Sequence, residues 1–249
     1  MLQQLSEPLI IAHRGASAYF PENTLAAMQK AYELGAKMVE FDVQLAHCST
    51  PVIFHDDDLQ AFNGMPKTIA DYNFEELSQL EPTLNLKRFT AGGICSLEAL
   101  LITLKTWQLS ANIELKSLAH QDGKQLIKHV WEVISKTNFP EQHILFSSFD
   151  LELLLMLRKQ FPTIAIAPLF DAQHEPANFL KQIKRIKPWS INILEPYIQK
   201  ASDLNHLQTL APKVYCATVN DKVRAQQLFD YGVNAIFSDL PDLLTRTEA

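Results

Sequence analysis

Leu9-Ile10-Ile11-Ala12-His13-Arg14-Gly15-Ala16-Ser17 is the stretch that decides the fold. Four apolar residues form a short strand pattern, and a polar triplet follows at once. An open doubly wound sheet would favour a glycine-rich turn after its first strand, and the chain has no G-x-G-x-x-G. Outward from this point, apolar β-branched runs alternate with amphipathic segments almost to the end. Strands are expected at 9–12, 38–44, 51–54, 111–115, 143–147, 163–168, 190–194, 213–218 and 234–237. Helices are expected at 23–35, 96–108, 122–137, 150–160, 176–186, 201–210, 221–231 and 240–246. Such alternation means a parallel sheet covered by helices, and eight units in 249 residues fit a (β/α)8 TIM barrel.

Helix starts are marked by Ser96, Asp150, Ser202 and the pair Asn220-Asp221, while Gly35 and Gly232 suit left-handed stops. The rhythm breaks between about Asp56 and Gly93, where Asn63-Gly64, Pro66, Pro82 and Gly92-Gly93 punctuate mixed residues. We read this as a small insertion after the second strand, placed to overhang the barrel mouth. No repeat or linker divides the chain, so residues 1–249 are expected to form one domain.

Bulk properties narrow the function classes. Hydrophobic residues make up 47% and charged residues 20%, which predicts a folded core. The net charge of −6 argues against a nucleic-acid partner, because no basic stretch would release counterions from a phosphate backbone. Three scattered cysteines (Cys48, Cys95 and Cys216) suggest a reducing compartment rather than a disulfide framework. Leu9–Ala12 is too short for a signal-peptide core, and no run reaches membrane-spanning length. A cytoplasmic location is the expectation. Nothing in the sequence speaks to the oligomeric state.

The chemistry is concentrated at strand ends. Glu40 and Asp42 stand at i and i+2 in Lys37-Met38-Val39-Glu40-Phe41-Asp42-Val43, so both point to one face. Buried carboxylates side by side repel, and a cation relieves them. Glu114 and Lys116 repeat the spacing in Asn112-Ile113-Glu114-Leu115-Lys116, and Pro51-Val52-Ile53-Phe54 ends in His55-Asp56. Three carboxylates are hard oxygen ligands suited to Mg²⁺ or Ca²⁺ rather than to tetrahedral zinc. Arg14 and Lys116 would supply positive charge to a phosphate-bearing substrate. Taken together, the pattern is that of a metal-assisted hydrolase site. Blander readings stand beside it: Glu114 pairing only with Lys116, His13 as a core histidine, Asp56-Asp57-Asp58 as a solvated turn. Ser148 and Asn220 could each cap a helix or touch a ligand. His47, His120, His129, His143, His174 and His206 are assigned no chemistry.

Seven segments, in order, resemble the glycerophosphodiester phosphodiesterase family, particularly its cytosolic bacterial members. They are His13-Arg14-Gly15, Pro21-Glu22-Asn23-Thr24-Leu25, Glu40-Phe41-Asp42, His55-Asp56, Asn112-Ile113-Glu114-Leu115-Lys116, Ser147-Ser148-Phe149 and Thr218-Val219-Asn220. The resemblance implies hydrolysis of glycerophosphodiesters to sn-glycerol 3-phosphate and an alcohol. It implies His13 and His55 as general base and acid, and Glu40, Asp42 and Glu114 as ligands of a divalent cation. Arg14 and Lys116 would bind the phosphate. The chain departs from the family at Gln60-Ala61-Phe62 and at Ala217, which bears on the alcohol accepted. Phe62 is expected to offer that alcohol an apolar surface. Three rivals remain: a glycosidase built on Glu40 and Glu114, a non-catalytic phosphoester-binding barrel, and a sphingomyelinase-like lyase. The glycosidase leaves the histidines and Arg14 idle.

Overall fold

The structure, a computed structural model, describes residues 1–80, 93–119, 121–170 and 176–245. His120, His174, Gly92 and the 81–92 part of the expected insertion lie outside the described residues, as does the last position of the 240–246 helix.

Among the described residues ten strands form one sheet: β1 (Leu9–Ala12), β2 (Met38–Leu45), β3 (Pro51–Ile53), β4 (Cys95–Ser96), β5 (Ser110–Leu115), β6 (Ile144–Ser148), β7 (Ala165–Phe170), β8 (Ile191–Leu194), β9 (Val214–Ala217) and β10 (Ala235–Ser238). Eight of them pair in parallel in the order β1-β10-β9-β8-β7-β6-β5-β2, and Ala12 against Val39 closes the circle. This is the expected (β/α)8 barrel. β3 and β4 are not barrel staves. β3 pairs antiparallel with the C-terminal end of β2, and β4 pairs antiparallel with β3.

Alternation along β2 explains how one strand serves both core and site. Val39, Phe41 and Val43 turn outward into a buried cluster with Leu97, Leu100, Leu101 and Leu104 of the helix Leu97–Trp107. Met38, Glu40 and Asp42 share the opposite face. Met38 joins Leu9, Ile11, Leu145, Ala167, Tyr215, Ala235 and Phe237 in an apolar plug inside the staves. The carboxylates therefore sit on a dry floor. Register sets Glu40 beside Asn112 and Asp42 beside Glu114, which brings the third carboxylate across from the first two.

The expected helices form with bounds close to those read from the pattern, with two exceptions. Over 201–210 the chain makes a 3-10 turn, Ala201–Asp203, and a short helix, Leu204–Leu207. Asp203, not Ser202, organises its start by accepting the Gln199 and Lys200 N–H groups at 2.8 and 3.0 Å. Residues 241–245 are turns rather than a helix. Pro241 has no N–H to give, and the backbone bonds that follow reach three residues back, Leu243 to Leu240 and Thr245 to Asp242. The described part of the insertion, up to residue 80 and at Gly93, holds regular turns that its sequence pattern does not mark. Gln60–Asn63, Ile69–Asp71 and Phe74–Leu77 are short helical turns around Val52, Phe54, Leu59, Phe62, Ile69, Leu77 and Ile94. Phe62 is 4% exposed and packs edge-on against Phe54 in this small core, and it lines a pocket shared with Glu22, His55 and Asp56.

Candidate active site

Each candidate side chain arrives at the mouth by a strand end. His13, Arg14 and Gly15 form the turn after β1. Arg14 has φ 55° and Gly15 has φ 83°, and a Cβ on Gly15 would come within 2.7 Å of the Ala27 carbonyl carbon. Only glycine lets this turn press against the helix Leu25–Glu33. Asn23, also at positive φ, ties the same loop to β2: its amide donates to Asp42 Oδ2 at 2.9 Å and its backbone N–H reaches the Arg14 carbonyl at 3.0 Å.

Oxygen atoms of Glu40, Asp42 and Glu114 lie within 4.8 Å of one another. Glu40 accepts the Arg14 backbone N–H at 2.9 Å. Burial, reinforced by the charges of Asp42 and Glu114, holds the Glu40 carboxyl well above its usual range. Burial and the Asp42 charge raise Glu114 in the same way. Asp42 goes the other direction: burial works against its ionisation, but the Lys116 and Arg14 cations hold it below the usual carboxylate range. Lys116 Nζ stands 3.2 Å from Glu114 and 3.5 Å from Asp42. Arg14 Nη1 pairs with Glu22 at 2.9 Å, and its Nε, 3.6 Å from Asp42, is buried without a hydrogen-bond partner. Burial disfavours both cations, yet the surrounding carboxylates raise them, so each stays charged. Four carboxylates thus surround two cations. The hard-oxygen trio and the excess negative charge fit a divalent cation.

The two histidines carry the same attachment. His13 Nδ1 lies 2.7 Å from Asp239 Oδ1, and His55 Nδ1 lies 2.8 Å from Asp56 Oδ1. A carboxylate only accepts, so Nδ1 donates in both rings and Nε2 is the nitrogen left for proton transfer. The loop bearing His55 is anchored from below by Gln44, fully buried on β2, whose amide donates to the carbonyls of Phe54 and Asp56 at 3.1 and 2.7 Å. His55 also bears electrostatically on Asp42 and Glu114. Asp56 is therefore a histidine partner and not part of a solvated turn.

Two expected substrate contacts are placed otherwise. Ser148 is 1% exposed, and its hydroxyl donates to the Leu115 carbonyl at 2.7 Å while accepting the Asp150 N–H at 3.1 Å. It joins β5 to the turn after β6 and does not open to the mouth; Asp150 caps the following helix. Asn220 does not cap a helix either, because Asp221 does so by accepting the Arg224 N–H. The Asn220 amide donates instead to Asp239 Oδ2 at 2.6 Å. Asp239, Asp56, Glu22, Asn23 and Gln44 were assigned no role from sequence. Asp239 stands at the end of the last barrel strand, the position that singled out the other candidates, and that was its available signal.

A parallel barrel whose mouth joins a carboxylate trio, two carboxylate-held histidines and two buried cations has the architecture of a (β/α)8 enzyme. Residues 13–243 match the model of the glycerophosphoryl diester phosphodiesterase family. The chain belongs to that family and is an enzyme of its class. It is 31% identical over 237 residues to a glycerophosphodiester phosphodiesterase of Bacillus altitudinis, covering 94% of this chain and 95% of the relative. It is 29% identical over 243 residues to one from Caldanaerobacter subterraneus, covering 95% and 96%. Among solved structures, an Oleispira antarctica phosphodiesterase in complex with the product sn-glycerol-3-phosphate superposes with a TM-score of 0.84 at 29% identity, over 94% of each chain.

Proposed function

We propose that this protein hydrolyses glycerophosphodiesters to sn-glycerol 3-phosphate and an alcohol, with Glu40, Asp42 and Glu114 holding Mg²⁺ or Ca²⁺. Joint placement of the carboxylate trio with the paired histidines carries the reading. A bound divalent cation would neutralise phosphoryl charge as a Lewis acid. Arg14 and Lys116, kept ionised by their carboxylate neighbours, add fixed positive charge where the phosphate sits. His13 accepts the proton of the attacking oxygen at Nε2, its new charge offset by Asp239. His55, oriented by Asp56, enters the step as the imidazolium and gives its Nε2 proton to the departing alkoxide. The product held by the Oleispira antarctica relative is the half of the substrate common to all glycerophosphodiesters, which supports this substrate class.

Among the described residues no helix is long and apolar enough to cross a membrane. Three free cysteines, none in a disulfide, support work in a reducing cytoplasm by a single barrel domain with an insertion. A coupled glycerol 3-phosphate assay over glycerophosphocholine, glycerophosphoethanolamine and glycerophosphoglycerol tests the reading. Release of glycerol 3-phosphate from at least one is expected. Tight binding without turnover would favour the sensor, and a cyclic phosphate as sole product would favour a lyase.

A further inference from the structure

We propose that Asp239, clamped by Asn220 and Ser17, is a positioning residue that keeps the His13 proton on Nδ1 and presents Nε2 to the substrate. The inference deepens the proposed function and rests on His13 being a proton-transfer group.

The clamp is built from three barrel loops. The His13 backbone N–H donates to the Ser238 carbonyl at 2.9 Å, which locks the end of β1 to the end of β10. Asp239 Oδ1 then receives His13 Nδ1 at 2.7 Å and lies 2.9 Å from Ser17 Oγ, a hydroxyl that also stands 2.8 Å from the His13 carbonyl. Asp239 Oδ2 receives the Asn220 amide at 2.6 Å. Asn220 cannot turn its amide over without loss, because its oxygen accepts the Asp239 N–H at 2.9 Å and the Ser238 hydroxyl at 3.0 Å. Every donor facing the carboxylate is thereby fixed, and the carboxylate has no proton to offer the ring. These donors and the His13 charge outweigh burial and draw the Asp239 carboxyl down to about 2. Nδ1 must donate. The lone pair then falls on Nε2, as general-base work requires.

An amide in place of the carboxylate breaks this logic. With its NH₂ at the Oδ1 position it faces His13 Nδ1 and drives the ring proton to Nε2. With its NH₂ at the Oδ2 position it faces the Asn220 amide, donor against donor. The test is Asp239→Asn, read by ring ¹⁵N chemical shifts of His13 in mildly alkaline buffer and by steady-state kinetics. The native enzyme should show a protonated Nδ1 and an unprotonated Nε2. In Asp239→Asn that pattern should shift toward a protonated Nε2. Its kcat should fall roughly 10²- to 10⁴-fold with KM changed by no more than about threefold. Should Asp239→Asn not fold, Asn220→Ala and Ser17→Ala read the same quantities, each expected to lower kcat about tenfold by loosening the carboxylate. Nε2 protonated in the neutral native ring, or ring nitrogens and kcat both unchanged in the variants, would overturn the proposal. If His13→Ala keeps its turnover, the base role fails instead, while the ring-nitrogen pattern still reports on the clamp.

Discussion

His13 and His55 present the same chemistry from opposite sequence settings. The carboxylate of His55 is its neighbour, Asp56; that of His13 comes from 226 residues along the chain. Each ring is held at Nδ1 and open at Nε2, so neither contributes much to packing. His13→Ala and His55→Ala should therefore each lower turnover by roughly two to four orders of magnitude while leaving the melting temperature almost unchanged. Single-turnover and thermal-melt measurements check both halves, and near-native turnover in either variant would remove that histidine from the mechanism. The Asp239 pairing carries its own pH signature. Its carboxyl falls from the ordinary 3.8 to about 2 in the fold, despite burial, because His13, Asn220 and Ser17 favour the charged form. A depressed folded value stabilises the native state above the unfolded value and loses that contribution as pH falls from about 4 toward 2. With solvent screening allowed for, the contribution is about 1 kcal/mol. Chemical denaturation of the native enzyme and Asp239→Asn should show a stability gap that narrows over that acid range; a constant gap would mean the shift is not there. The Glu40–Asp42 pair was legible in the sequence because i, i+2 spacing on one strand fixes a shared face, and Glu114 joins it from a second strand. Asp239 was not, because its partner is assembled only when the last strand closes on the first.

Single elements hold these residues in place, and two of them do so through one residue each. Gln44 sits at the far end of the strand that carries Glu40 and Asp42, and it fixes the His55 loop by two amide hydrogen bonds. Gln44→Ala removes both bonds in a buried site. It should cost about 1–3 kcal/mol of stability and also lower turnover, since His55 loses its footing. Equilibrium denaturation with parallel kinetics separates the two effects, and full activity in a destabilised variant would make Gln44 purely structural. In the turn after β1, Gly15→Ala adds a methyl where Ala27 backbone atoms already stand 2.7 and 2.9 Å away, at a φ that side chains rarely adopt. A loss of about 1–3 kcal/mol from the backbone conformation alone is expected, with His13 and Arg14 displaced along with it. At this scale the sequence was readable wherever hydrophobic period was strong. It misled over 201–210, where the chain makes a 3-10 turn and a short helix, and over 241–245, where it makes turns, although the apolar spacing invites a helix in both places. The insertion yields no clean strand or helix unit in the sequence because its apolar residues, spread over turns, have no single period. Phe62 shows the consequence. Since it packs in that small core, Phe62→Ala should cost about 3–5 kcal/mol within the insertion. Limited proteolysis should then find the insertion more exposed, and an unaltered cleavage pattern would contradict that packing.

At the level of the whole molecule, barrel closure turns seven dispersed segments into one site. Parallel pairing points every strand end the same way, and register alone brings Glu114 across from Asp42. The apolar plug beneath keeps water from the lower side of the carboxylates, so their mutual repulsion is little screened. Arg14 and Lys116 offset part of it, and burial still holds Glu40 and Glu114 above their usual range. A divalent cation on the trio is the central claim, and its direct test is isothermal calorimetry on chelator-treated enzyme, with glycerol 3-phosphate release followed in the same samples. Mg²⁺ or Ca²⁺ should bind at one site per chain and restore turnover in step with occupancy, and Asp42→Asn should lose both. Full turnover in excess chelator, or binding that survives Asp42→Asn unchanged, would contradict the account.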